Sequence, residues 1–238
     1  MRRLLALLSS ILAFAAQPAA AQQIVYEEII EEEYAVLDTG TTRFVEVTPA
    51  PVPQGIATYG PFRVLDRTHA ALVDATDERS PGAFVAMLRA YPAITVLEMI
   101  DCPGTDDDLA NLALGRMIRA RGIATHVPNG GSVRSGAVEL FLAGARRSAE
   151  PNAEFAVHAW LDEDGREPGD YAPNDQANRA YLDYYQAMGM DAGQATAFYA
   201  MTNSVPHADA KWLTTAEMGR WVRLDTPLAS LDFAPRLH

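Results

Sequence analysis

Two hydrophobic periods alternate along the middle of the chain. Short apolar runs read as strands: FRVLD (62–66), AALVDA (70–75), ITVLEMI (94–100), IATHVP (123–128) and AEFAVHAW (153–160). ITVLEMI is mostly apolar and rich in β-formers, as in a strand covered on both faces. Segments between the runs repeat apolar positions at helical spacing. SPGAFVAMLRAYP (80–92) predicts a helix with Ser80 as N-cap and Pro81 at its first position. GTDDDLANLALGRMIRARG (104–122) predicts the clearest helix, capped by Thr105 with Asp108 as in a capping box. Asp106 to Asp108 lie at its positive end, Arg116, Arg119 and Arg121 near its negative end, and Gly122 closes it. Leu109, Leu112, Met117 and Ile118 form its buried stripe. Further helices are predicted from about Ser135, over 176–190, 192–202 and 212–221, with a last strand VRLD (222–225). Strands alternating with helices define an α/β domain with parallel pairing.

The first residues break this pattern. MRRLLALLSSILAFAAQPAAAQQ has a basic start, an apolar run over 4–16 interrupted only by Ser9 and Ser10, and Ala19-Ala20-Ala21 before Gln22. That is the layout of a secretory signal peptide (1–21), with cleavage expected before Gln22 and export to the periplasm or medium. The apolar run is shorter than the roughly 20 residues of a membrane span. An acidic lead-in, YEEIIEEEY (26–34), and a proline-rich TPAPVPQG (48–55) follow, so 22–58 reads as lead-in and linker and 59–238 as the α/β domain.

Composition narrows the partners. Net charge is −12, and loss of the signal leaves 17 basic against 31 acidic residues, or −14. That balance argues against nucleic acid or an anionic membrane surface. The single cysteine, Cys102, allows no internal disulfide and reads as a small buried hydrophobe. No His-Glu-x-x-His, cysteine pair or Gly-Lys-Ser/Thr ending is present, so neither a metal nor a phosphate-bearing cofactor is expected. LDEDGREPGDYAPND (161–175) lacks the spaced acids and closing glutamate of a calcium loop and reads as a polar loop. Tyr181, Tyr184, Tyr185 and Met188 recur at helical spacing, as core or a subunit contact.

Chemistry concentrates at strand-to-helix turns, where helix N-termini offer unpaired N–H groups. MIDCPGTDDD (99–108) has Pro103 to stiffen the turn and Gly104 to let backbone approach a ligand. GGSVRSGAVEL (130–140) places Ser135 at a predicted helix start, with the Gly136 N–H just after it. The next strand ends at His158. A nucleophile, a base and N–H donors are the parts of an acyl-transfer site. Ser135 reads equally as a helix cap. Ser132 is the rival serine, with no helix directly after it. His158 and His126 read equally as ordinary strand-end histidines.

In this order, Pro-Gly turn, helix, strand, Ser-Gly before a helix, AGARR, then VHAW, the chain resembles the Clp-protease/crotonase superfamily, closest to its periplasmic serine-hydrolase relatives. The resemblance spans about 62–225. It implies a spiral of β-β-α units with a parallel sheet, and a hydrolase that cleaves a peptide or small ester without a cofactor. It further implies Ser135 as nucleophile, His158 as base, and N–H donors from Gly104, Thr105 and Gly136; Thr105 stands where the family has a second glycine. The triad acid would fall before WLTTAEM (212–218), where the aligned residue is Ala210 and Asp209 is its neighbour; Asp162 and Asp164 are alternatives. The family's members assemble into rings or discs, so a homo-oligomer is implied. The displaced acid and Thr105 also fit a second reading, an inactive binding or scaffold protein.

Overall fold

The computed structural model describes residues 48–226. The chain enters with the Ala50 N–H donating to the Gly130 carbonyl at 2.9 Å, and Ile56 to Val64 at 2.7 Å. Strands β1 (Ala57–Tyr59), β2 (Phe62–Val64) and β3 (His69–Leu72) form an antiparallel meander. Helix α1 (Ser80–Ala90) leads to β4 (Val96–Met99) and β5 (Asp101–Cys102), then α2 (Asp108–Ala120). The next unit repeats the plan: β6 (Ala124–Val127), β7 (Ser132–Arg134), α3 (Ala137–Leu142). A third starts with β8 (Arg147–Ala149) and β9 (Glu154–Val157). After a 3₁₀ turn at Pro168–Asp170 come α4 (Gln176–Ala187), α5 (Ala192–Thr202), β10 (Lys211–Thr214) and α6 (Thr215–Trp221).

The strands sort into two sheets, one of six in the order β1-β2-β3-β4-β6-β8 and one of four in the order β10-β9-β7-β5. β3, β4, β6 and β8 are parallel, as are β5, β7 and β9. Each unit therefore crosses from the large sheet to the small one before its helix. This is the expected α/β spiral of β-β-α units.

Where expectation and structure differ, hydrogen bonding explains it. Thr105 does not cap α2; Asp107 does, its carboxylate accepting from the Ala110 N–H at 2.9 Å. Thr105 is occupied in the preceding turn, donating to the Thr76 and Asp107 carbonyls. The later start leaves Leu109 in the first turn, 75 % exposed, so it drops out of the buried stripe, while Leu112 and Ile118 stay in it. Arg79, not Ser80, occupies the N-cap of α1; the Ser80 hydroxyl instead accepts from the Asp77 N–H. The helix expected from Ser135 begins at Ala137. VRLD is irregular. Its neighbour KWLT pairs antiparallel with β9 as β10, because Leu213 is apolar and inward-facing at the sheet edge.

The core lies between the sheets and the helices. Phe141 on α3 packs on Phe155 of β9 with ring centroids 4.9 Å apart, and Tyr185 meets Phe198 at 5.0 Å. Tyr184, Tyr185 and Met188 are buried there, which settles their helical spacing as core. Cys102 is fully buried and donates to the Leu72 carbonyl; burial pushes its thiol far up, out of reach of the thiolate form. Among the described residues no helix is long and apolar enough to cross a membrane.

Candidate functional site

The carboxyl ends of three neighbouring parallel strands converge. β5 runs into Gly104 and Thr105, β7 into Ser135 and Gly136, and β9 into His158. The Ser135 N–H donates to the Ala156 carbonyl at 2.9 Å, carrying the β7–β9 ladder one residue past the strand. The chain then turns abruptly. Ser135 has φ +50°, the one positive φ outside glycine among the described residues. Such a conformation costs roughly 1–3 kcal/mol and persists only where surroundings impose it. It is the strained strand-to-helix turn that lifts a serine hydroxyl out of a sheet edge.

Two glycines permit this turn to touch its neighbour. Gly104 has φ +140°, and a Cβ on it would lie 2.9 Å from the Ser135 Cβ. A Cβ on Gly136 would lie 2.5 Å from the Thr105 side chain. Asn111 clamps the pair. Its amide donates to the Gly136 carbonyl at 2.6 Å, and its side-chain oxygen accepts from the Thr76 hydroxyl at 2.9 Å. The Gly104 carbonyl in turn accepts from the Thr76 N–H. The N–H groups of Gly104, Thr105 and Gly136 have no acceptor among the described residues.

These turns open into a cavity of about 550 Å³ whose lining includes Thr105, Ser135, Gly136, His158, Glu139, Trp160 and Tyr181. The Ser135 hydroxyl has no hydrogen-bond partner among the described residues. His158 is half-buried, and its Nδ1 lies 2.8 Å from the Ala159 carbonyl. A carbonyl only accepts, so Nδ1 carries the proton and Nε2 keeps its lone pair. Burial lowers the His158 pKa below the ordinary histidine value; the Ala159 bond, Asp108 and Glu167 pull the other way. The ring is thus neutral at pH 7. His207 packs edge-on against it at 4.5 Å and directs its own Nδ1 at the same carbonyl, 3.1 Å away.

The remaining residues sort by position. Asp209 is exposed, sits in a turn closed by its N–H donating to the Pro206 carbonyl, and does not line the cavity. Asp162 lines the cavity, but its carboxylate is held in its own loop by the Tyr171 hydroxyl and the Asp164 and Arg166 N–H groups. Asp164 pairs with Arg166 outside the cavity. Ser132 is buried and accepts from Arg134, away from the cavity. His126 belongs to the large sheet, its Nδ1 2.9 Å from the Ser148 hydroxyl. Sequence reasoning missed Asn111, Glu139 and His207. A lone acid inside the apolar run AVELFL was a signal for Glu139; the other two had none.

No protein-family model matches the chain, and no curated protein matches it by sequence. Solved structures do match its fold. A ClpP1 mutant from Listeria monocytogenes aligns at 15 % identity over 71 % of this chain and 95 % of that one, with TM-score 0.50. The ClpP protease catalytic domain from Plasmodium falciparum aligns at 13 % identity over 69 % and 86 %, with TM-score 0.48. A mutant of the 1510-N membrane-bound stomatin-specific protease, in complex with a substrate peptide, aligns at 12 % identity over 69 % and 76 %, with TM-score 0.44. With the topology above, the first of these gives the protein a Clp-protease-like fold.

Proposed function

We propose that the protein is an exported serine hydrolase that cleaves a peptide or ester bond. One observation carries this reading: the strained Ser135, the base-ready His158 and the unpartnered N–H groups of Thr105 and Gly136 share one cavity. Ser135 Oγ attacks the substrate carbonyl carbon while His158 Nε2 takes its proton. The oxyanion that forms is held by backbone N–H groups of Gly104 or Thr105 and of Gly136. The tetrahedral intermediate collapses as His158 returns the proton to the leaving amine or alcohol, and water then repeats the sequence on the acyl-enzyme. The Ala159 carbonyl does the orienting work of a triad acid: it fixes the tautomer, though without a carboxylate's charge. Export rests on the signal-like first 21 residues.

A fluorophosphonate probe tests the reading on the mature protein. Labelling that vanishes in Ser135→Ala and His158→Ala is the expected result. A folded wild type that takes no label overturns it and favours the second reading, a binding protein on the same frame, which the absence of a carboxylate on His158 Nδ1 supports.

A further inference from the structure

The cavity is one-signed. Eight carboxylates line it, Asp106, Asp108 and Glu139 among them, with two histidines and no lysine or arginine. Most of these acids are solvated or already engaged, as Asp77 is by Arg79. Glu139 is different. It sits in the first turn of α3, four residues after Ser135, and is only 6 % exposed. One carboxyl oxygen accepts from the Tyr185 hydroxyl at 2.7 Å. Its own backbone N–H bonds the carboxyl as well, and no lysine or arginine lines the cavity to balance its charge. A buried carboxylate is costly to ionise unless a cation pairs with it.

We infer that this cavity selects substrates bearing a cationic side chain, a primary amine or guanidinium, with Glu139 as its counter-ion. The inference rests on the hydrolase reading for its turnover arm but not for its binding arm. Leu109, Val157 and Trp160 line the same space and can cover the aliphatic stem of such a side chain while its charged head reaches the acid. Burial, with Asp108 adding to it, holds the Glu139 carboxyl up at about 7, against the Tyr185 bond that lowers it. Tyr181 and Tyr184 are the other titrating groups around it. An arriving cation would draw the proton off, so preference for it should strengthen between pH 6 and 8.

Two measurements test this. The first is turnover of Nα-acetyl-lysine and Nα-acetyl-norleucine thiobenzyl esters, which differ only in the amine. Lysine should exceed norleucine by at least about tenfold in kcat/KM. The ratio should collapse in Glu139→Gln and persist in Asp183→Asn, an exposed acid on α4. The second is Trp160 fluorescence in the Ser135→Ala protein, titrated with Nα-acetyl-lysine amide and its norleucine counterpart. Saturable lysine binding, lost on adding Glu139→Gln, supports the inference even if no ester is cleaved; only the hydrolase reading then falls. Equal turnover or equal binding of the two overturns the inference and leaves the hydrolase reading standing.

Discussion

Among the described residues one serine–histidine pair lies within the large sheet and another at the edge of the small one, and they differ instructively. On the large sheet Glu98, His126 and Ser148 stand in register across β4, β6 and β8. His126 Nδ1 is 2.9 Å from the Ser148 hydroxyl, and its Nε2 is 3.9 Å from a Glu98 oxygen. By connectivity this is the more complete serine–histidine–acid row. Yet all three side chains are buried, none lines the cavity, and the facing Glu98 and His126 atoms have no hydrogen-bond partner. On the small sheet Ser135 and His158 make no hydrogen bond to each other, but they share a cavity with free N–H donors. Access and oxyanion donors, not side-chain connectivity, separate a candidate site from a buried polar row.

The comparison breaks most sharply on the serines. Ser135→Ala should cost about 10³-fold or more in kcat/KM, whereas Ser148→Ala should leave turnover within about twofold while lowering Tm, because His126 loses its partner. Activity in the first variant, or its loss in the second, would reverse the assignment. Next come the glycines. Gly104→Ala should cost about 10²-fold in kcat, since its Cβ would strike Ser135 and displace an oxyanion donor. A fully active variant would remove that turn from the mechanism.

The histidines give the third test, by pH. Burial lowers the His158 pKa, so His158 is already neutral at pH 7 and is protonated only below the ordinary 6.5. The acid limb of kcat/KM should therefore bend below pH 6.5. A limb centred near 7 or above would mean that another group is the base.

The acid of the buried row gives a stability test. Burial raises Glu98 from 4.5 to about 8. A carboxyl raised in the folded state stabilises fully below its unfolded value, and that contribution is lost as pH rises towards 8. Glu98→Gln cannot ionise, so its Tm relative to wild type should climb from pH 5 to pH 8. A flat difference would mean that the row is hydrated. The smallest effect should come from Asp209→Ala: an exposed turn residue outside the cavity should change kcat/KM by less than about threefold. A hundredfold loss would bring it back as the triad acid.

Much of the frame was legible in the sequence because local rules and burial agreed there. The apolar runs at 62–66, 94–100 and 153–157 could hide their side chains only as strands, and the 108–120 helix carries its stripe, its acids and its arginines in helical order. Errors came where a few residues decide the outcome by hydrogen bonding. Asp107 took the cap from Thr105, and KWLT rather than VRLD found an edge to pair with. Within the site, Ser135, Gly136, Gly104 and His158 were readable as turn residues at strand ends.

What the sequence determined by itself was the alternation of elements, the glycines that let two turns touch, and a serine placed where a strand becomes a helix. Only the tertiary structure decided that Ser135 is held at positive φ, that Asn111 ties its turn to Thr76, and that a carbonyl rather than a carboxylate orients His158. It also set Glu139 facing the same cavity. The clamp of Asn111 on Thr76 and Gly136 and the bond from Tyr185 to Glu139 join residues far apart in sequence, and a linear pattern carries no information about distance until the sheets bring the strand ends together.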